Sequence, residues 1–130
     1  MVRGLTMSLE KVRISKQGRD QLITLKRRTG IENWNILCRW AFCLSLSDPT
    51  PPRKHAITLE GGVEMTWRTF GGEYEDIYLV LLKERCKQDG YEIDEETLTQ
   101  QFRFHIHRGI SHLVGTSDMR SVDNLIKLVS

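Results

Sequence analysis

The fold is decided by residues 9–47, which read LEKVRISKQGRDQLITLKRRTGIENWNILCRWAFCLSLS. Near its start, Val12 and Ile14 alternate with basic residues, a pattern that predicts a short strand with one apolar and one basic face. Ser15 follows this strand and is suited to cap a helix that runs to about Arg28. The stretch therefore opens with a strand that leads directly into a basic helix.

A second helix is predicted after a glycine turn. Gly30 is a suitable terminator for the first helix, and the second helix runs from about Glu32 to Leu46. Because this helix is apolar on most sides, it belongs in the core or in a contact between subunits. The run Asp48-Pro-Thr-Pro-Pro52 stops it and starts a loop with three basic or titratable residues, Arg53, Lys54 and His55.

The rest of the chain predicts more helices and one ambiguous segment. Residues 57–72 suit either a small hairpin or an irregular loop. Helices with apolar residues at helical spacing are predicted over about Glu73–Gln88, from the cap Asp94 to about Arg108, and over about Asp118–Val129. The expected fold class is therefore mainly α.

Bulk composition fits one compact helical domain. The 130 residues are 39% hydrophobic and 28% charged, which is too apolar for disorder and sufficient for one core. We expect this domain to span residues 7–130, with residues 1–6 as an upstream extension or an expression remnant, because Met7 is a plausible start. No apolar run resembles a membrane span or a signal peptide, so a cytoplasmic location without membrane contact is expected.

Charge is distributed unevenly along the chain. Residues 1–28 carry eight basic and two acidic side chains, a net charge of +6, whereas the other 102 residues carry 11 bases and 15 acids, a net charge of −4. Such asymmetry indicates a polyanionic partner. The candidate DNA-binding residues lie on the predicted strand and first helix, and they are Lys11, Arg13, Lys16, Arg19, Lys26 and Arg27.

The four helical members of that set share one side of the helix. With 3.6 residues per turn, Lys16, Arg19, Lys26 and Arg27 fall on an arc of about 100°. A charge run on a helix is commonly only a solvated surface, but such a surface tends to carry interleaved acids, which are scarce here. Contact with a nucleic acid is the favoured interpretation.

The order of elements suggests how DNA would be approached. Strand, helix, glycine turn and helix follow one another as in a ribbon-helix-helix (Met repressor-like) module, in which two chains pair their strands into a ribbon that can enter a groove. Only Arg13 is placed for reading bases, so contact with the backbone is favoured over sequence recognition. Glu32 disfavours a phosphate at the start of the second helix, because its carboxylate already occupies that positive end.

The sequence supports a catalytic or metal-binding function less than it supports nucleic-acid binding. His105, His107 and His112 have no further ligand at suitable spacing, so no metal is predicted, and His105 is expected in the core or in an interface. The acidic run of Glu73, Glu75 and Asp76 leaves a metal-dependent nickase open, although acids in the first turn of a helix also interact favourably with its dipole. We expect no enzyme and no cofactor.

The three cysteines predict no disulfide framework, because their number is odd. No acid and histidine pattern at recognisable spacing accompanies them. All three are expected to be small buried hydrophobic residues, at positions Cys38, Cys43 and Cys86.

The sequence also resembles a known family. Lys11-Val-Arg-Ile-Ser15, Thr29-Gly-Ile-Glu-Asn-Trp34-Asn35, Cys38-Arg-Trp-Ala-Phe42 and Thr69-Phe-Gly-Gly-Glu-Tyr74 are similar to the DndE family of DNA sulfur modification proteins. The resemblance covers nearly the whole chain after residue 6. It implies a small, helical, DNA-binding member of the bacterial DNA phosphorothioation system. The matched stretches contain no catalytic motif, so no catalytic residue is carried over.

The resemblance carries further implications about partners. It implies homo-oligomers, tetramers in particular, a preference for nicked duplex DNA, and contact with other phosphorothioation proteins. An alternative remains open, in which the chain is an assembly adaptor that docks an acidic partner protein instead of DNA.

Overall fold

The computed structural model describes residues 9–116. Its elements, in chain order, are β1 (Lys11–Ile14), α1 (Lys16–Thr29), α2 (Trp34–Ser47), β2 (Val63–Thr66), α3 (Trp67–Gly71), a 3-10 turn (Gly72–Tyr74), α4 (Glu75–Gln88) and α5 (Glu95–Gly115). The mainly α class is confirmed. The helix predicted over Asp118–Val129 and the proposed extension of residues 1–6 lie outside the described residues.

The ends of α1 are set by the residues that the sequence indicated. The hydroxyl of Ser15 accepts a hydrogen bond from the Gly18 amide at 3.0 Å, which satisfies one of the free donors of the first turn. Gly30 follows the last turn with φ of 78°, a left-handed conformation that suits glycine. Leu22 and Leu25 are buried along the inner side of this helix.

Strand β1 pairs with β2 of the same chain. The two are antiparallel, with Lys11 opposite Thr66 and Ile14 opposite Val63. In a ribbon-helix-helix module this strand pairs with the same strand of a second chain. Here one edge of β1 pairs instead with β2 of its own chain. Gly62 permits the close approach, because a Cβ at this position would lie 1.8 Å from the Ile14 carbonyl oxygen.

The ambiguous segment 57–72 contains two regular elements. It is neither a hairpin on itself nor wholly irregular, since β2 pairs with β1 and α3 follows directly. The hydroxyl of Thr66 caps α3 by accepting from the Thr69 amide at 3.0 Å. As a result, Trp67 and Phe70 are turned into the core.

Helices α2 and α5 pack closely in the centre of the domain. At Gly109 a Cβ would lie 1.8 Å from the Ala41 carbonyl oxygen, so the two backbones meet where α5 has no side chain. Helix α5 continues to Gly115, beyond the predicted end near Arg108, because Ile110 and Leu113 extend its buried side. The core between the helices includes a cluster of aromatic rings from Phe42, Phe70 and Phe102.

Two smaller differences concern α4 and the cysteines. Helix α4 begins at Glu75, after a 3-10 turn, and not at Glu73. Cys38 and Cys86 are buried as expected, but the prediction for Cys43 was wrong: it is half-buried. Helix α2 is apolar on most sides, and the core does not cover all of them.

None of the helices in residues 9–116 combines the length and the apolar character needed to span a lipid bilayer.

Candidate nucleic-acid interface

The predicted DNA-binding residues form two groups on the surface. Lys11 and Arg13 project from the exposed face of β1, and Lys16, Arg19, Lys26 and Arg27 project from α1. The helix supplies its group because Gly18, Leu22 and Leu25 are buried, which turns the basic side outward.

The strand group shares one carboxylate. Glu64 on β2 stands opposite Arg13 in the sheet register. Its side chain lies 2.8 Å from Lys11 Nζ and 4.0 Å from Arg13 Nε. The hydrogen bond to Glu64, followed by the charge of that carboxylate, raises the pKa of Lys11. Two cations and one acid leave this group with a net charge of +1, so the strand contributes less positive potential than its residues suggest.

The helical group is less neutralised. Lys16, Lys26 and Arg27 are exposed and make no ion pair within the described part of the chain. Arg19 is partly exposed and lies 3.8 Å from the neighbouring Asp20, a contact that solvent screens. The span from Lys16 to Lys26 is about 15 Å along the axis, at a rise of 1.5 Å per residue. We call the surface formed by Lys16, Arg19, Lys26 and Arg27 the α1 basic face.

One basic residue of α1 lies outside this face. Arg28 is adjacent to Arg27 in sequence but points about 100° away around the helix. Its guanidinium donates to the Val114 carbonyl at 3.4 Å, a contact that links the end of α1 to the end of α5. Arg28 thus offers a comparison for residues of the basic face that is matched in charge and exposure, apart from this contact.

Two further arginines form hydrogen bonds within the fold and are not part of the basic surface. Buried Arg85 forms an ion pair with Asp89 at 3.0 Å and donates to carbonyls of Leu46, Asp48 and Thr50. Arg108 donates to the hydroxyl and carbonyl of Ser45 and to the Thr50 carbonyl. Together they hold the loop that follows α2, which no local sequence signal predicts.

This anchored loop borders a cleft beside the α1 basic face. The cleft has a volume of about 550 Å³ and lies between the start of α1, residues 52–60 and α5. Lys16 lines it and so belongs to both the cleft and the basic face. Sequence reasoning missed the cleft, although the run Arg53-Lys54-His55 after three prolines is a signal for an exposed basic loop.

His105 is a core residue, as predicted. It is fully buried on α5, with Nδ1 at 2.8 Å from the Ser45 hydroxyl. Burial, together with nearby Arg85 and Arg108, lowers the pKa of His105 to about 3. The imidazole is therefore neutral at physiological pH. No cluster of three or more potential metal ligands occurs within residues 9–116.

Two of the three acids at positions 73–76 lie at the start of a helix, where the helix dipole stabilises negative charge. Glu75 and Asp76 occupy the first turn of α4. The carboxylate of Glu75 also pairs with Arg68 at 2.7 Å. This carboxylate already has a partner within the chain.

The cysteine thiols are held in the protonated form. Burial raises the pKa of Cys38 to about 12 and that of Cys86 to about 11. Burial also raises the pKa of Cys43. Because the thiolate is the nucleophilic form, these shifts disfavour a nucleophilic role for the cysteines at neutral pH.

Comparison with known proteins assigns the chain to a family. The family model of DNA sulphur modification protein DndE matches residues 11–121. The crystal structure of DndE from Escherichia coli B7A, described as involved in DNA phosphorothioation modification, is 26% identical, with a TM-score of 0.70 over 83% of this chain and 99% of that one. A second DndE crystal structure, of a mutant, shows the same fold at 24% identity, with a TM-score of 0.62 over 82% and 97% of the two chains. A search of curated proteins finds no match. The match over residues 11–121 shows that the chain belongs to the DndE family of DNA sulphur modification proteins.

Proposed function

We propose that this chain is the DNA-binding subunit of a DNA phosphorothioation system and grips the backbone of duplex DNA through the α1 basic face. The observation that carries the proposal is the exposure of Lys16, Lys26 and Arg27 without ion pairs within residues 9–116. A family that acts in DNA sulphur modification has a polyanion as its natural partner. Such a role places the chain in the cytoplasm.

The chemistry of the face favours phosphate contacts. Each lysine or arginine that neutralises a phosphate releases a counterion, and the affinity then depends on salt with a slope of about −0.9 per contact on duplex DNA. Four contacts from the α1 basic face give a slope of about −3.6 per chain. Lys11 and Arg13 add less than two further contacts, because Glu64 competes for both.

A preference for nicked DNA is part of the proposal. A nick makes a duplex easier to bend, and a protein that reads the backbone and its deformability gains affinity wherever bending costs less. Helix α1 has 14 residues and is about 21 Å long, at a rise of 1.5 Å per residue, so it covers only a short length of DNA backbone. Several copies or bent DNA would extend the contact.

We also propose self-association through α4. Four large hydrophobic side chains are exposed here, 41–57% accessible, namely Ile77, Val80 and Leu81 on the helix and Tyr74 directly before it. A contiguous apolar patch on a soluble domain marks a contact surface. The acids Glu73 and Asp76 lie at one end of this patch, and the exposed acid Glu84 lies with Lys87 at the other. In an antiparallel contact between two copies, Lys87 of one copy lies near Glu73 and Asp76 of the other, and the same surface is used twice, as in a two-fold interface.

Self-association would strengthen DNA binding. A homodimer through α4, repeated into the tetramer that we propose, presents the α1 basic face several times to one polyanion, and linked contacts raise the overall affinity. Size-exclusion chromatography with light scattering tests this. An Ile77→Glu variant that keeps its helical circular dichroism should show a smaller mass than the wild type, whereas an unchanged oligomeric mass would refute the α4 contact.

We further propose that the chain binds DNA without cutting it. The pairing of Glu75 with Arg68 and the protonated state of the cysteine thiols support this. Plasmid relaxation with magnesium tests it: relaxation by the wild type that disappears in a Glu73→Ala, Glu75→Ala, Asp76→Ala variant would establish a nickase instead.

The central experiment is a binding titration by fluorescence anisotropy. Intact, nicked and single-stranded DNA are compared at several salt concentrations for the wild type and for a variant with all four face residues changed to glutamate. We expect nicked duplex to bind tightest and the variant to lose binding while keeping its helical content. Wild-type protein without DNA affinity at ordinary salt, but with retained binding to another protein of the system, would identify an assembly adaptor.

A further inference from the structure

The cleft beside the α1 basic face has the size of a ligand site. Its volume of about 550 Å³ falls in the range of pockets for small molecules and cofactors. It is formed by three separate parts of the chain, the first turn of α1, residues 52–60 and the middle of α5. It is therefore a product of the tertiary structure and is not a simple groove along one helix.

The cleft has an excess of free positive charge. Lys16 and Arg53 line it, are exposed, and make no ion pair within residues 9–116. Glu60 is the acid in the lining. Arg108 also reaches the lining, but its donors are used by Ser45 and Thr50, and it lies 3.6 Å from Asp48. Both free cations carry donors of the kind that bind phosphate.

An aromatic pair stands on another part of the lining. The rings of His55 and Phe104 are 5.6 Å apart between centroids, with an angle of 34° between their planes. Both residues line the cleft. Flat rings of this kind are platforms on which a nucleobase stacks, without dependence on the identity of the base. Hydrogen-bonding side chains nearby include Gln17, Gln21, Thr58 and Ser111.

The part of the lining between the two cations and the aromatic pair is held in place by His107, whose side chain contacts two backbone groups. His107 Nε2 accepts from the Ser15 amide at 3.0 Å, and the other ring nitrogen donates to the Arg103 carbonyl at 2.7 Å. Both nitrogens of His107 are thus engaged. This contact ties the start of α1 to α5, so the lining from both helices is preformed.

We propose that the cleft binds one nucleoside 5′-monophosphate unit, with its phosphate held by Lys16 and Arg53 and its base against the His55–Phe104 pair. The unit has two possible sources, a free nucleotide and an unpaired nucleotide at a strand end. Because Lys16 joins the cleft to the α1 basic face, a strand end is the source that we favour, and that choice rests on the proposed function.

The first experiment uses free ligands and requires no DNA binding. Isothermal titration calorimetry with deoxyadenosine 5′-monophosphate is compared with deoxyadenosine and with inorganic phosphate. Arg53→Ala is the test variant, and Lys54→Ala is its matched control, since Lys54 is the exposed neighbour that does not line the cleft. His55→Ala removes the exposed half of the aromatic pair.

The monophosphate should bind more tightly than either fragment. Arg53→Ala should weaken its binding about tenfold, as expected for the loss of one charge-assisted hydrogen bond, and Lys54→Ala should leave it unchanged. His55→Ala should weaken the monophosphate but not inorganic phosphate. Absence of nucleotide binding by the wild type, or equal effects of the Arg53 and Lys54 variants, would overturn the proposal.

The second experiment identifies the source of the unit. Anisotropy compares a nicked duplex that carries one unpaired 5′-phosphorylated nucleotide with the same nicked duplex without that nucleotide, and an intact duplex is measured alongside. Selective loss of the preference for the strand end in Arg53→Ala supports a strand-end site. Equal binding to both nicked duplexes, together with calorimetric binding of the monophosphate, supports a free nucleotide. The affinity for intact duplex, which depends on the α1 basic face, reports separately on the proposed function.

Discussion

Arg27 and Arg28 provide a sharp test of the α1 basic face. The two arginines are adjacent, both exposed and both in the last turn of α1. Reversal of either charge carries a similar cost against the helix dipole. They differ in direction, because Arg28 points about 150° away from the centre of the basic face. Arg28→Glu also loses the 3.4 Å contact with the Val114 carbonyl, so the thermal stability of both variants is compared. Between two folded variants, a difference in DNA binding reports on the position of the charge and not on its sign.

The magnitude follows from counterion release. The four contacts of the α1 basic face by themselves give a salt slope of about −3.6, which corresponds to a fall in affinity of about 150-fold between 50 and 200 mM salt. Arg27→Glu leaves three contacts and a slope of about −2.7, which corresponds to a fall of about 40-fold over the same range. Arg28→Glu should retain a slope close to that of the wild type.

The assay is fluorescence anisotropy on one labelled nicked duplex at a series of salt concentrations, with the logarithm of affinity plotted against that of salt. Thermal unfolding by circular dichroism confirms that both variants are folded. Equal slopes for the two variants, or a smaller slope for Arg28→Glu than for Arg27→Glu, would refute the assignment of the DNA-binding surface to the α1 basic face.

Three other predictions follow from single contacts. Glu64→Gln should tighten DNA binding and steepen the dependence of affinity on salt by up to about 0.9, because the change frees Lys11 from its 2.8 Å ion pair. Weaker binding in the same titration would place β1 outside the interface. Gly109→Ala should lower the free energy of unfolding by about 1–3 kcal/mol in a urea titration, because the added Cβ meets the Ala41 carbonyl. The control is Gly115→Ala on the same helix, whose Cβ meets nothing within 4 Å and should leave the free energy of unfolding unchanged. Equal losses of stability in the two variants would contradict the close packing of α2 on α5. The protein should lose stability as the pH falls from the ordinary histidine pKa near 6.5 to about 3, because His105 binds a proton in the unfolded chain over this range but not in the folded one. The urea midpoint of His105→Gln should depend less on pH in this range. An unchanged dependence would show that the imidazole has the same pKa in both states.

Local signals in the sequence predicted the starts of α1 and α5 and the end of α1. Ser15 and Asp94 cap α1 and α5 through their own side chains, and Gly30 ends α1 in a left-handed conformation. These interactions span three or four residues, so they are readable before any tertiary contact is known. The mainly α class and the outward direction of the α1 basic face follow from the same kind of local reasoning.

Contacts between distant residues decided the rest. The pairing of β1 with β2 depends on residues about fifty positions apart, and it brings Glu64 next to Lys11 and Arg13. Helix α5 passes through Gly109, a residue that often ends helices, because the missing side chain lets its backbone meet Ala41.

The sequence by itself thus determined which residues are basic, which turn outward and where most helices begin. Only the tertiary structure decided how much of that charge is neutralised, which apolar side of α4 is left uncovered, and that the start of α1, the 52–60 loop and α5 enclose a cleft. The physical reason is that helix caps and periodicity act within a few residues, whereas ion pairs, strand pairing and cavities form between residues that only folding brings together.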